Sequence, residues 1–530
     1  MSSREKGFGI MAIKIIMLVV FFAIMIGVGF YCRRHATDVR GFVLGGRSVG
    51  PWLTAFAYGT TYFSAVIFVG YAGQFGWKFG ISATWIGIGN ALLGSLLAWV
   101  VLGRRTRLMT HHFDSATMPE FFGKRFSSKS LKIVASLIVF IFLIPYTASL
   151  YNGLSRLFGM AFGIDYTVCI IIMAVLTGIY VIAGGYMATA INDFIQGIVM
   201  IGGIIAVIFA VLKTNGGFLS SLTALSNVSD EAVSANPGTF ASFFGPDPLN
   251  LLGVIILTSL GTWGLPQMVQ KFYAIKSEND IKKGAIISTI FAIIIAGGCY
   301  FIGGFGRIFT TSDVVNASGF DSIIPTMMSN FSPILIGLIV ILVLSASMST
   351  LSSLVMASSS TLTLDFIKPL FANDMKEKKQ LLSIRLLIVV FILISVIIAV
   401  LQFKAGGNAN VKFIAQLMGV SWGALAGSFL APFLFSLYWK KATKAAVFTS
   451  FGFGSGIMIL NLLSRLLKLD FFPTILVSPI NCGAFAMLAG FIIVPVVSLL
   501  TKAPDQKMVD DAFACYNTRV VVTAKHDLGE

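Results

Sequence analysis

The residues with most chemical content in this sequence are hydroxyls set inside an apolar stretch. From Ser345 to Ser353 the chain reads Ser-Ala-Ser-Met-Ser-Thr-Leu-Ser-Ser, in the second half of an apolar run from 332 to 362. At about 3.6 residues per helical turn, Ala346, Ser349, Thr350 and Ser353 share one side, with Ser345 and Ser352 beside them. Two readings of this stripe stand open. Small residues let helices pack closely, and buried hydroxyls bond back to a carbonyl one turn earlier. The same neutral oxygens would also suit a hard monovalent cation, which prefers oxygen ligands. A second group with chemistry to offer is Asp193, in Ala190-Ile-Asn-Asp-Phe-Ile-Gln196, the one acid placed well inside an apolar run. A carboxylate at such depth is expensive and is by default a functional candidate. Its plainer role would be to cap a helix start at the membrane interface. Lys14, near one end of the first run, reads as a snorkelling side chain.

The elements that must position these residues are membrane spans. The 530 residues are 56% apolar and 11% charged, with mean hydropathy +0.89. A soluble domain carries about 25% charged residues, so the chain is expected to be an all-α polytopic membrane protein. Runs long enough to span fall at about 10–31, 52–76, 83–102, 131–157, 166–182, 188–212, 249–273, 284–306, 332–362, 381–401, 411–437, 445–463 and 473–500, thirteen in all. The first reads as a retained span, without the small-residue cleavage site of a signal peptide. Most of the 38 lysines and arginines fall in alternate loops, among them Arg33, Arg104, Lys124, Lys271, Lys276, Lys368 and Lys440, and in the tail with Arg519 and Lys525. By the positive-inside rule the N-terminus is expected outside and the C-terminus in the cytoplasm. The net charge of +16 is then a topology signal, and nucleic acid is not needed to explain it.

Two spans are interrupted. The second reads Ala57-Tyr-Gly-Thr-Thr-Tyr-Phe-Ser64 at its middle, and the seventh carries Gly261-Thr-Trp-Gly-Leu-Pro266. Pro266 removes a backbone bond, and the glycines loosen the turn before it. Each alone reads equally well as a kink. Five spans apart, each opens a five-span unit of opposite orientation, and paired interruptions of this kind point to a transporter site near the midplane. An enzyme would need convergent His, Cys or paired acids at depth. The spans offer little beyond Asp193, the four histidines lie outside them, and the five cysteines (Cys32, Cys169, Cys299, Cys482, Cys515) have no metal spacing.

Several motifs together give a resemblance. They are Leu44-Gly-Gly-Arg-Ser-Val-Gly50, Thr117-Met-Pro-Glu-Phe-Phe122 with Arg125-Phe126, Asn192-Asp-Phe-Ile-Gln-Gly197, Met348-Ser-Thr-Leu-Ser352 and Lys502-Ala-Pro504. In this order and spacing the chain resembles the sodium/solute symporter family, the sodium-coupled proline, pantothenate and sugar carriers, over nearly its whole length. The resemblance implies a LeuT-type core of five-plus-five inverted repeats, with one extra helix before it and two after. The expected division is an extra N-terminal helix and loop (1–51), a first repeat (52–212), an extracellular loop (213–248), a second repeat (249–437), two C-terminal helices (438–500) and a cytoplasmic tail (501–530).

The resemblance also implies residues. A first sodium site would use the carbonyls of Thr60, Phe63 and Ala346 with the hydroxyls of Ser349 and Thr350. Some relatives have a second sodium site, which here would fall on Asp193, Ser349, Ser352 and Ser353. The solute cavity would be lined by Tyr62, Ser64, Tyr146, Trp263 and Gln267. Sugar carriers place a glutamate where this chain reads Ala83-Thr-Trp-Ile-Gly-Ile88, and a tyrosine before the tryptophan where it reads Thr262-Trp263. A sugar or polyol is therefore the second choice. The expected solute bears a carboxylate, an amino acid such as proline or a pantothenate-like acid. Aromatic positions of the proline carriers read Thr258, Thr262 and Val66 here, while Tyr146 matches. The expected activity is uptake of that solute with sodium across the cell membrane, by alternating access. The expected partners are sodium, solute and the lipid bilayer, with no nucleic acid and no obligate protein partner. A channel or a membrane sensor on the same scaffold is the remaining alternative.

Overall fold

Lipid offers no hydrogen bonds, so a spanning chain must satisfy its own backbone, which helices do. The computed structural model describes residues 3–231, 233–234, 236–410 and 414–517. Residues 411–413, which open one expected span, and 518–530, which include Arg519 and Lys525 of the expected tail, lie outside these. Among the described residues there is no strand, only the isolated bridges Val49↔Ile275 and Asp230↔Ser234.

Helix α1 (Ser3–Cys32) exposes Ile13, Ile16, Val19, Val20 and Ile24, as a lipid-facing span should. The next span is in two pieces, α2 (Pro51–Tyr62) and α3 (Ala72–Phe79), joined through a π-turn at Val66–Tyr71. There follow a helical segment ending at Arg104–His112, the short α4 (Met118–Arg125), α5 (Lys129–Phe162) and α6 (Tyr166–Thr214). A second interrupted span comprises α7 (Pro248–Leu260) and α8 (Pro266–Ala274). Then come α9 (Glu278–Ala292), α10 (Gly298–Gly304), α11 (Pro333–Thr361), α12 (Glu377–Asn410), α13 (Ile414–Tyr438), α14 (Lys444–Leu466) and α15 (Pro479–Leu500). The hydroxyl-bearing α11 is central: it is buried along almost all its length and packs on α6, α5, α12, α1 and α2.

By length and composition, ten described helices can cross a membrane, or eleven with the bent pair α7–α8, which turns by 48°. The expectation of thirteen is not reached by that measure. The difference lies in two long stretches, Val66–His112 and Tyr166–Thr214, of 47 and 49 residues. At about 1.5 Å per residue each is roughly 70 Å long, against a hydrocarbon core of about 30 Å. Each contains a glycine with positive φ, Gly80 (+64°) and Gly185 (+57°). At Gly185 a Cβ would also stand 2.8 Å from the Phe42 carbonyl oxygen, so only glycine fits.

The signature motifs act as clamps. Arg47 donates to the carbonyls of Ser115 (2.9 Å) and Thr110 (3.3 Å). Thr117 caps α4 by accepting from the Glu120 amide (3.1 Å), and the Glu120 carboxylate accepts from the Ala116 amide (2.8 Å), close to a reciprocal capping box. The Thr117 hydroxyl also donates to Asp365 (2.5 Å), and the Lys132 ammonium lies 3.2 Å from that carboxylate. Asp365 is a second fully buried acid. It escapes the sequence reading because it lies just past the end of the 332–362 run. Lys14 does not snorkel: it is buried and donates to the Ala161 carbonyl (3.0 Å). The C-terminal end of α5 has unpaired carbonyls and a negative dipole end, both of which attract an ammonium.

Close approach of α3 and α10 fixes the second half of the first interrupted span. A Cβ on Gly76 would stand 1.9 Å from the Gly303 carbonyl oxygen, whereas Gly297 has open space around it. Gly76→Ala is therefore expected to lower the melting temperature in detergent, an overpacking effect of about 1–3 kcal/mol. Gly297→Ala is expected to leave it unchanged, and equal melting of the two variants would refute the contact.

Candidate ion and solute site

The site begins with a shortage of donors. The last helical bond of α2 runs from the Phe63 amide to the Gly59 carbonyl (3.1 Å), and Phe63 already has extended backbone angles. Beyond it the chain restarts from Ser64, whose carbonyl accepts from the Ile67 and Phe68 amides. The carbonyls of the last turn of α2 thus point past the end of their own helix. Helix α11 meets them. Ser349 Oγ donates to the Thr60 carbonyl (2.9 Å), and Thr350 Oγ1 lies 3.3 Å from the carbonyls of both Thr60 and Thr61. Both hydroxyls also reach the Ala346 carbonyl on their own helix, at 3.2 and 3.0 Å. Five neutral oxygens from two helices converge in a buried place.

Four of the five expected first-site residues, Thr60, Ala346, Ser349 and Thr350, are brought together here. The Phe63 carbonyl is not among those the two hydroxyls meet; Phe63 lines a small neighbouring cavity with Ser64 and Ala346. The Thr61 carbonyl, which the sequence reading did not name, meets the same Thr350 hydroxyl. Its signal was present: Thr60-Thr61 is the last polar pair before the break, and both carbonyls lose their helical donors.

Of the residues of the expected second site, Asp193 and Ser353 are joined through a lysine ammonium, while Ser352 bonds within its own helix. Ser352 Oγ donates to the Ser349 carbonyl of its own helix (2.9 Å). Ser353 Oγ pairs with Thr61 Oγ1 (2.9 Å) and accepts from the Lys271 ammonium (3.0 Å). That same ammonium lies 3.8 Å from Asp193 Oδ2 and 5.1 Å from the centre of the Tyr186 ring. Lys271, counted among the loop cations by sequence, is in fact 2% exposed on α8, with Asp193 0% exposed. It falls at the edge of an apolar run, where hydropathy cannot separate a loop from a helix end.

The expected solute residues Tyr62, Ser64, Tyr146, Trp263 and Gln267 are all buried near the two breaks. Tyr62 donates to the Thr258 carbonyl and stacks on Phe63 with ring centres 4.3 Å apart. Trp263 Nε1 donates to the Leu93 carbonyl (3.0 Å). Trp422 on α13, which the sequence reading did not single out, lies 6.0 Å from both Tyr62 and Tyr146, edge-on to the latter. Tyr146 Oη faces Ser64 and Trp422, and among the described residues Gln267 Oε1 has no hydrogen-bond partner. Trp422 could have been found as the lone tryptophan between Ser421 and Gly423 in a late span.

Interrupted helices whose free carbonyls face hydroxyls of an unbroken neighbour, beside buried polar groups, define a broken-helix membrane carrier. The sequence matches the family model described as sodium:solute symporter family over residues 42–454. The chain belongs to the sodium:solute symporter family. Sodium/proline symporters of Staphylococcus aureus, strains JH9 and JH1, are 31% identical over 502 residues, covering 92% of this chain and 93% of theirs. In fold, the chain is similar to a substrate-bound, outward-open Na+-coupled sialic acid symporter, with TM-score 0.73 at 18% identity over 93% of this chain and 98% of that one. A manganese transporter of Eremococcus coleocola is more distant, with TM-score 0.52 at 12% identity over 88% and 95%. The protein is thus a multi-pass, sodium-coupled solute transporter on a LeuT-type core, and not an enzyme.

The hydroxyl pattern makes a stability prediction. Thr350→Val keeps the side-chain shape but leaves the Thr61 carbonyl short of its donor, a loss of about 1–3 kcal/mol. Ser345 Oγ has no partner among the described residues, so Ser345→Ala is expected to be neutral or stabilising. Thermal unfolding in detergent checks the order, which reverses if the hydroxyl contacts are incidental.

Proposed function

We propose that this carrier takes up a small carboxylate-bearing solute, proline or a close analogue first among them, together with sodium bound where α2 breaks against α11. The observation that carries the reading is the convergence of the Thr60, Thr61 and Ala346 carbonyls with Ser349 and Thr350. A sodium ion entering there would take the carbonyl lone pairs that the hydroxyl protons now occupy, and the hydroxyls would turn to offer oxygen instead. Phe63 remains a further carbonyl within the same break. An ion held this way ties the interrupted span to α11, and so favours one packing of the bundle over another.

The solute would lie between the breaks, against Tyr62, Ser64, Tyr146, Trp263, Gln267 and Trp422. The Tyr146 hydroxyl and the Trp422 indole N–H are donors suited to a carboxylate, and Gln267 Oε1 is an acceptor for an amine or hydroxyl. Proline is favoured by the 31% identity to sodium/proline symporters. The proposed topology has thirteen crossings, with Val66–His112 and Tyr166–Thr214 each turning inside, repeats at 52–212 and 249–437, the N-terminus outside and the C-terminus in the cytoplasm of a cell whose plasma membrane holds the carrier. Inward sodium movement then draws on the membrane potential at about 2.3 kcal/mol per charge per 100 mV.

Uptake of radiolabelled proline, pantothenate and glucose into proteoliposomes, under an inward sodium or potassium gradient, tests this. Proline uptake is expected to need sodium and to fall at least tenfold in Ser349→Ala and Thr350→Val. Sodium-driven uptake undiminished in both variants would refute the ion site, and glucose uptake without proline uptake would refute the solute class. Trp422→Phe is expected to raise the solute KM while leaving the half-saturating sodium concentration within about twofold, because it removes one N–H and keeps the aromatic packing. The two kinetic constants, measured separately, check that division.

A further inference from the structure

A tethered cation stands beside the sodium site. Lys271 comes from α8, the second half of the other interrupted span, and its ammonium reaches Ser353 on α11 (3.0 Å) and Asp193 on α6 (3.8 Å). Ser353 in turn holds Thr61 Oγ1 (2.9 Å), and Thr61 supplies one of the carbonyls of the proposed sodium site. The ammonium therefore lies at a junction of both interrupted spans, α6 and α11. We infer that the Lys271 ammonium fills the second cation position of this carrier, so that one sodium ion, not two, accompanies each solute molecule.

Three features argue for this over an ordinary structural ion pair. First, the contacts are those a free cation would make: a serine hydroxyl, a carboxylate and the face of the Tyr186 ring at 5.1 Å. Second, the pair is loose. The ammonium stands 3.8 Å from the nearer Asp193 oxygen, whereas the Arg307–Asp230 pair elsewhere closes to 2.8 Å. A pair kept for rigidity would be expected to close in the same way, since a buried carboxylate gains most from short, directed bonds. Third, charge leaves no room for another ion. Lys271 and Asp193 together are neutral, and no other acid lies in the 190–197 stretch or along α8 and α11 to share a second sodium. A bound second ion would face an ammonium a few ångströms away in a medium that screens poorly.

The inference rests on the sodium site proposed above, and the experiment separates the two. Equilibrium binding of radiolabelled sodium to the purified full-length protein, without solute, is expected to saturate at one ion per chain. Lys271→Met removes the ammonium and leaves Asp193 with an unbalanced charge, so binding is expected to rise to two ions per chain, and the Hill coefficient of sodium-dependent uptake from one towards two. Adding Asp193→Asn to that variant is expected to return binding to one. Two ions per wild-type chain would overturn the inference while leaving the first site standing, and this measurement needs no variant to fold. One ion per chain in a folded Lys271→Met protein would overturn it as well. No sodium bound to the wild type would instead overturn the proposed sodium site, and the inference with it.

Discussion

Everything at the centre of this carrier depends on what becomes of backbone carbonyls that have lost their helix. Stopping α2 at Tyr62 leaves Thr60 and Thr61 without amide donors, in a region where neither lipid nor bulk water can supply replacements. Ser349 and Thr350 supply them. That requirement explains why a buried helix carries hydroxyls on the side facing the break. It also concentrates neutral oxygens from two helices in one buried place. The break and its hydroxyl partner are thus one unit, and neither helix would be stable in this form without the other.

Charge inside the bundle follows the same economy. Among the described residues, the buried ionic groups are distributed along the spans rather than scattered. At one end Arg307 joins Asp230 and the Trp77 carbonyl, at 2.8 and 2.7 Å. At the opposite end Asp365 gathers Thr117 and Lys132. These two clusters use short bonds and hold loops to helices. Between them stands Lys271 with Asp193, longer and less directed, next to the oxygens of the break.

Several of the short motifs on which the family resemblance rests hold loops and helices together. Thr117 and Glu120 cap a helix, Arg47 ties one loop to the carbonyls of another, and Asn192 donates to the Met25 carbonyl (3.2 Å), joining α6 to α1. Caps and tight turns accept few residue types, which makes motifs of this kind recognisable in a sequence. A resemblance therefore names the scaffold more firmly than the cargo.

Local physics was enough for the sequence alone to determine much of this protein. Apolar run length announced the spans, Pro266 and the Gly-Thr-Thr stretch announced the interruptions, and 3.6-residue periodicity put Ala346, Ser349, Thr350 and Ser353 on one face. Each of these depends on residues close together in the chain. What only tertiary structure decided depends on partners far apart. The choice of Thr61 as a second carbonyl, the edge-on meeting of Trp422 with Tyr146, and the burial of Asp365 all require knowing which helix lies beside which. Lys271 shows the reason most plainly. In sequence it is a basic residue near the end of a run, indistinguishable from its neighbour Lys276. In the folded chain, the packing of α8 against α11 and α6 carries it between Ser353 and Asp193. The hydroxyl stripe was legible in the chain, but the ammonium that meets Ser353 at its far end was brought there by the fold, because charges in a low-dielectric interior act on whatever the packing brings near.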